Sequence, residues 1–171
     1  MSIKKQTVKV LVAGDGGVGK TTIVYKILGK DQTTKLTPGL SIESLTLALN
    51  DNLEAEVVFW DLGGQPQFRF FQEDYIYCAN LILFIYDLNR YHSLSNLEKD
   101  WIPMLEKNRD FKEASLFLIG NKLDLGQSIS DKGIEEFLEK YPMKSIKVSA
   151  TEGTNIEELY NMIQEVINGC D

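Results

Sequence analysis

The chain has 171 residues, 43% hydrophobic and 25% charged, the make-up of one globular domain large enough to bury a core. A formal net charge of −7 argues against nucleic acid as a partner and leaves no polybasic patch for a membrane surface. Two cysteines, Cys78 and Cys170, make no disulfide framework and fit a reducing, cytoplasmic setting, and one histidine, His92, excludes a multi-histidine metal site.

The segment Met1-Ser2-Ile3-Lys4-Lys5-Gln6 has neither the apolar core of a signal peptide nor the glycine of a myristoylation signal. Thr7–Ala13 is a β-branched apolar run, expected as a buried strand. It leads into Gly14-Asp15-Gly16-Gly17-Val18-Gly19-Lys20-Thr21, which matches G-x-x-x-x-G-K-[ST]. Thr22–Leu28 follows with apolar residues at helical spacing. A strand, a glycine-rich loop and a helix in that order form a phosphate cradle. The backbone N–H groups from Asp15 through Gly19, with Thr22 in the first helical turn, face an anion at the positive end of the helix. Lys20 would reach the β- and γ-phosphates, and the Thr21 hydroxyl would hold Mg²⁺.

Gly29–Leu40 is polar and aperiodic, hence a loop. Ser41–Leu49 and Glu54–Trp60 are strand-like, and the short Asn50-Asp51-Asn52 link predicts an antiparallel hairpin. A glycine-containing loop spans Asp61 to Arg69, and an aromatic amphipathic helix is expected over Phe70–Cys78. Leu81–Tyr86 is a continuous apolar strand. Ser93 is placed to cap a helix running to Lys107, with a kink or tight turn at Pro103 and His92 on its surface. Ala114–Ile119 is the next strand, Asp131–Lys140 a short helix and Ser145–Val148 the last strand. Thr154 and Glu157 have capping-box spacing before a helix that buries Ile156, Leu159, Ile163, Val166 and Ile167. Strands alternating with helices predict an α/β fold with a mostly parallel sheet.

Two further motifs fall where strands end, the place where such sheets bind ligands. Asp61-Leu62-Gly63-Gly64-Gln65 puts a carboxylate where it can hold Mg²⁺ through water. In the same stretch Gly64 has an N–H free to approach a γ-phosphate, and the Gln65 amide can orient an attacking water. Asn121-Lys122-Leu123-Asp124 puts a carboxylate where it can accept hydrogen bonds from the N1–H and exocyclic amine of guanine, donors that adenine lacks at that edge. Lys122 would lay its stem along the base, and Asn121 would tie the loop together and reach the N7 edge. Ser149-Ala150-Thr151 follows the last strand; a small residue at Ala150 lets its N–H meet the guanine carbonyl, although alone the triplet is a routine strand-to-helix loop.

With these elements in this order the chain resembles the Ras-like small GTPase superfamily over residues 7 to 168. The resemblance implies one P-loop GTPase domain over the whole chain. Its sheet would have six strands in the order 2-3-1-4-5-6, mostly parallel with one antiparallel edge strand, flanked by five helices. It implies that Thr37, ahead of Pro38-Gly39, closes on Mg²⁺ and the γ-phosphate, with Thr33 and Thr34 as competitors for that role. Residues 31–41 and 62–76 then form two switches that report the nucleotide to partners: an activating protein, an exchange factor and effectors. It also implies a cytoplasmic monomer. Gly19-Lys20-Thr21-Thr22-Ile23 and Trp60-Asp61-Leu62-Gly63-Gly64-Gln65 look Arf-like, while Gly14–Gly19 and Asn121–Leu125 look like Rab or Ras. The tail Asn168-Gly169-Cys170-Asp171 is not a prenylation box. No arginine lies between Gly29 and Ser41; Arg69, just past Gln65, is the nearby candidate for a catalytic cation in cis, with an exposed start of the following helix as the favoured reading. Slow GTP hydrolysis is therefore expected, with an arginine from a partner entering over the bare Gly16. The rival reading is a nucleotide-bound scaffold without turnover; Lys20, Thr37, Asp61 and Gln65, all present, argue against it.

Overall fold

The computed structural model describes residues 3–31, 37 and 39–170, without the side chains of Phe68, Phe70 and Phe71. Six strands form one sheet in the order β2-β3-β1-β4-β5-β6. They are β1 (Lys4–Ala13), β2 (Leu40–Asn50), β3 (Leu53–Leu62), β4 (Leu81–Asp87), β5 (Ser115–Asn121) and β6 (Lys144–Lys147). Only the β2–β3 hairpin is antiparallel; β1 pairs in parallel with β3 and β4, and β5 in parallel with β4 and β6. The expected topology is therefore the observed one.

Position in the sheet explains composition. Every residue of β4 is buried, because helices cover both faces of a central parallel strand, so its sequence is apolar from Leu81 to Tyr86, ahead of Asp87 at its carboxyl end. Edge strand β2 alternates half-buried and exposed residues. The period of two in β1 sends Val8, Val10 and Val12 to one core and Leu11 and Ala13 to the other. The first core is closed by α1 (Lys20–Leu28) and α5 (Ile156–Asn168), with Ile23, Val24, Leu159, Ile163 and Ile167 buried. The second lies under α2 (Tyr91–Asn96), α3 (Ile102–Glu106) and α4 (Asp131–Lys140) and holds Leu94, Trp101, Leu105, Ile134 and Phe137. The five flanking helices expected are α1, the α2–α3 rod, α4, α5 and a 3₁₀ segment over Pro66–Ile76. Among the described residues no helix is long and apolar enough to cross a membrane.

Four local expectations are corrected. The helix expected over Phe70–Cys78 is the 3₁₀ segment Pro66–Ile76, started by Pro66 in its first turn, where a missing N–H costs nothing. It stops before Cys78, which has a φ of 58°. Ser93 does not cap the next helix, which starts two residues earlier with Arg90 at its extended N-cap. The Ser93 hydroxyl instead accepts from the Asp87 N–H at 2.9 Å and donates to the Arg90 carbonyl at 2.6 Å, fastening the helix to the end of β4. The break expected at Pro103 is a π turn over Leu97–Trp101, directly before the proline, which has no N–H to continue an α ladder. The Thr154–Glu157 capping box does not form: Thr154 bridges to Ser149, and Asn155, at φ 59°, stands before α5 with its amide on the Lys147 carbonyl at 2.8 Å.

Candidate functional site

The carboxyl ends of β1, β3, β4 and β5 and the loop after β6 meet at one edge of the sheet, which brings together motifs far apart in sequence. At its centre is the glycine loop. Gly17 and Gly19 have φ of 77° and 95°, a region costly for residues with a side chain. A Cβ on Gly19 would lie 2.2 Å from Asn121 Nδ2, so the loop approaches the β5 motif as closely as bare backbone allows.

Lys20 is 6% exposed, and its Nζ donates to the carbonyls of Gly14 at 2.8 Å and Asp15 at 2.9 Å. Burial, the largest cause, lowers its pKa to about 8. Asp61 and Asp15 pull it upward, and Arg90 and Arg69 add to the lowering. Beside it the Thr21 hydroxyl meets the Thr37 hydroxyl at 2.7 Å and also donates to Asp61 Oδ2. Thr37 is thus brought beside Thr21; Thr33 and Thr34 lie outside the described residues. Asp61 is 1% exposed and its Oδ1 has no hydrogen-bond partner. Burial raises its pKa, against the hydrogen bond from Thr21, the field of Lys20 and the hydrogen bond from Thr37. A buried carboxylate with an orphaned oxygen beside two hydroxyls is an all-oxygen donor set, and it fits Mg²⁺.

Gly64 packs on the glycine loop itself: a Cβ there would lie 2.1 Å from the Gly16 nitrogen. Gln65 has its Cγ 3.9 Å from where a Cβ on Gly16 would stand, and its Oε1 accepts from Gln67 Nε2 at 2.8 Å. The Gly63 N–H donates to the Gly39 carbonyl at 2.6 Å, and buried Gln72 donates to the Gly63 carbonyl at 2.7 Å and the Gly39 carbonyl at 3.4 Å. The ends of the two expected switches are therefore bonded to each other.

At the other end of the site Asn121, 2% exposed, donates to the Val18 carbonyl at 2.9 Å and accepts from the Ala150 N–H at 3.1 Å. It joins the loops after β1, β5 and β6 through one amide N–H and the amide oxygen. The Ala150 N–H, expected to be free for a base carbonyl, is held by that amide instead. Lys122, at φ 67°, ion-pairs with Asp87 at 2.9 Å. Asp124 is exposed and accepts from the Ser149 hydroxyl at 2.6 Å, which in turn accepts from the Glu152 N–H at 3.1 Å. The Asp124 carboxylate is thus fixed from behind with one oxygen left over. Thr151 is exposed in the turn that follows, and Thr22 is half-buried in the first turn of α1.

Asn96, Asp100, Trp101 and Arg90 reach this site without any sequence signal. Asp15 accepts from Arg69 Nη2 at 3.0 Å, Trp101 Nε1 at 2.9 Å and Asn96 Nδ2 at 2.5 Å. On a regular α-helix residues 96 and 101 would lie about 140° apart; the π turn between them puts both on one carboxylate. Arg69 also pairs with Asp100 at 2.9 Å and lies 5.0 Å from the Trp101 ring centre, so the cation expected at an exposed helix start is clamped. Arg90 Nη2 donates to the Gly16 carbonyl at 2.8 Å, across 74 positions of sequence.

Set against known proteins, residues 9–169 match the profile of the Ras family. The chain is 30% identical over 156 residues to the Ras-related protein RABA4d of Arabidopsis thaliana, covering 89% of this chain and 69% of the relative. It is 30% identical over 156 residues to the Ras-related protein Rab-8B of Pongo abelii, covering 89% of this chain and 74% of the relative. Against the Ras-related protein Rab-27B of Bos taurus it is 27% identical over 173 residues, covering 94% of this chain and 79% of the relative. With the family profile spanning the sheet from β1 to the end of α5, the chain belongs to the Ras family.

Proposed function

We propose that this chain is a guanine-nucleotide switch that binds GTP and GDP with Mg²⁺ and hydrolyses GTP slowly, acting as one GTPase domain. The observation that supports it best is the meeting of buried Lys20 and Asp61 with half-buried Thr21 and Thr37 in one cluster at the glycine loop, with Asp124 held by Ser149 at the far end. Backbone N–H groups of Asp15 to Thr22 receive the phosphates, and the Lys20 ammonium exchanges its loop carbonyls for phosphate oxygens. Thr21 and Thr37 would hold Mg²⁺ with Asp61 behind them; when bound, the ion screens the charge of the β- and γ-phosphates. Gln65 orients the attacking water from its place against Gly16. Asp124 accepts from the base, and Asn121, Ser149 and Ala150 keep its loop in register with the phosphate cradle.

The switch follows from the same contacts. A γ-phosphate at Thr37 and Gly64 holds residues 31–41 and 62–76 in one arrangement, and hydrolysis releases them. Partners would read that change: effectors, an exchange factor and an activating protein, as in other members of the family. The test is nucleotide retention and phosphate release by the purified protein. We expect GTP to be retained against an equal concentration of ATP, and Gln65→Leu to keep GTP while losing at least about tenfold in hydrolysis, or about 1.4 kcal/mol of barrier. Retention without any phosphate release would make the chain a nucleotide-bound scaffold instead.

A further inference from the structure

We propose that Arg90 is a catalytic residue of GTP hydrolysis, supplying from this chain the guanidinium otherwise expected from a partner. The proposal rests on the GTPase reading above. Arg90 stands between β4 and α2 in an extended conformation, with φ −130° and ψ 92°. Its Nη2 donates to the Gly16 carbonyl at 2.8 Å, and its Nη1 would lie 3.6 Å from a Cβ on Gly17. The guanidinium therefore lies along two residues of the loop that cradles phosphate.

What separates Arg90 from the other arginine at this loop is its partner. Arg69 is neutralised by two carboxylates, Asp15 at 3.0 Å and Asp100 at 2.9 Å, and lies over Trp101. Among the described residues no carboxylate pairs with Arg90, although the chain as a whole carries a net charge of −7. The guanidinium is half-buried and bonded to a carbonyl, with no carboxylate beside it among the described residues, and its planar fork matches phosphate oxygens. The anion that comes to Gly16 and Gly17 is the polyphosphate that Lys20 also serves. Reaching it requires rotation of a long, flexible side chain and no movement of the sheet.

In the step itself, the oxygen of water bonds to the γ-phosphorus. The bond from that phosphorus to the β–γ bridging oxygen breaks, and its electron pair leaves with GDP. The water's protons end on inorganic phosphate and solvent. Arg90 transfers nothing; its N–H groups neutralise the negative charge that grows on the bridging and γ-oxygens. Hydrolysis of this kind runs at about 10⁻² s⁻¹ with an arginine in cis and at roughly 4 × 10⁻⁴ s⁻¹ without one.

Single-turnover GTP hydrolysis by the full chain, with no partner present, tests the proposal. Arg90→Ala should slow hydrolysis about 20-fold or more, and Arg90→Lys should recover only a small part of it. GDP affinity should stay within about twofold in both, because the contact strengthens as charge develops. The readout that a structural contact would not move is capture of GDP with aluminium fluoride, a mimic of the transferring phosphoryl group. The unmutated chain alone should trap it, and Arg90→Ala and Arg90→Lys should not. Unchanged hydrolysis in Arg90→Ala overturns the proposal. So does a loss that follows Arg69→Ala alone, or equal losses of GDP affinity and hydrolysis in Arg90→Ala. If the unmutated chain fails to retain GTP, the GTPase reading has failed and this proposal with it, a result set apart by the retention assay.

Discussion

The phosphate end and the base end of the site are built on opposite principles. At the phosphate end charged groups are buried, and they displace one another's pKa: Lys20 is 6% exposed and Asp61 1%, with one carboxylate oxygen unsatisfied. At the base end the carboxylate proposed to read the base, Asp124, is exposed, and the buried group is the neutral amide of Asn121. Burying a charge is tolerable only where a counter-charge will arrive, and polyphosphate with its metal brings one. A base brings hydrogen bonds and no net charge, so its reader stays near water and is held by a hydroxyl. On the proposed reading affinity is concentrated at the phosphate end and selectivity at the base end, and Asn121 bonds to a loop of each.

Removing the joint should damage both ends together. Asn121→Ala leaves the Val18 carbonyl and the Ala150 N–H buried and unpaired. At about 1–3 kcal/mol for each unpaired group, a loss of roughly 2–6 kcal/mol is expected, shared between folding stability and GDP affinity. Urea unfolding with and without GDP measures both; a variant that loses only base selectivity would show that the two ends are independent.

Lys20→Ala should act on the phosphate end alone. The loss of a charge-assisted contact to phosphate predicts about 3 kcal/mol, or 100-fold, in GDP and GTP affinity, with the preference for guanine over adenine preserved. Displacement of a fluorescent GDP analogue by each nucleotide checks it, and a change in guanine preference would contradict the division of labour.

Asp124→Asn should act on the base end alone. Replacing an acceptor by a donor should shift preference from guanine toward xanthine by about 2–3 kcal/mol, while affinity for the better-matched nucleotide stays close to that of the unmutated protein for GDP. Competition between GDP and XDP decides it; equal losses for both bases would mean that Asp124 holds the loop and does not read the base.

A smaller effect separates the two ends through pH. The Lys20 ammonium loses its proton at about pH 8 in the nucleotide-free chain, because burial disfavours its charge. A bound phosphate restores the charge, so above pH 8 binding takes up a proton. Affinity for GDP should therefore fall as pH rises through about 8, approaching tenfold per pH unit at the steepest, or about 1.4 kcal/mol. Titration calorimetry in buffers of differing ionisation enthalpy measures the proton uptake directly. No uptake between pH 8 and 9 would mean that Lys20 is already charged in the free chain.

Most of this site was legible in the sequence because its chemistry is local. A glycine loop between a strand and a helix, and Asn121-Lys122-Leu123-Asp124 past a strand end, depend on backbone geometry and spacing within one short stretch. Hydrophobic periodicity likewise marked all six strands, α4 to its end residues, and the buried face of α5. What failed was also local in kind. Ser93 and the Thr154–Glu157 pair had the spacing of caps, but the fold used them otherwise: the Ser93 hydroxyl is taken by the Asp87 N–H, and Thr154 is held in a backbone bridge to Ser149 with Asn155 at the N-cap.

Family, the alternation of strands and helices, and the residues proposed to meet phosphate and base were all written in the linear order of residues. The fates of the two arginines were not: folding clamps Arg69 between Asp15 and Asp100 and leaves Arg90 open on Gly16. Nor was the π turn that puts Asn96 and Trp101 on one carboxylate, or the loss of the Ala150 N–H to Asn121. Strand order is the cause. Placing β1 between β3 and β4 sets the loop after β1 against residues 54 to 86 positions away. No motif spans such distances, and the partner of a long charged side chain is whichever group the neighbouring loop brings within reach.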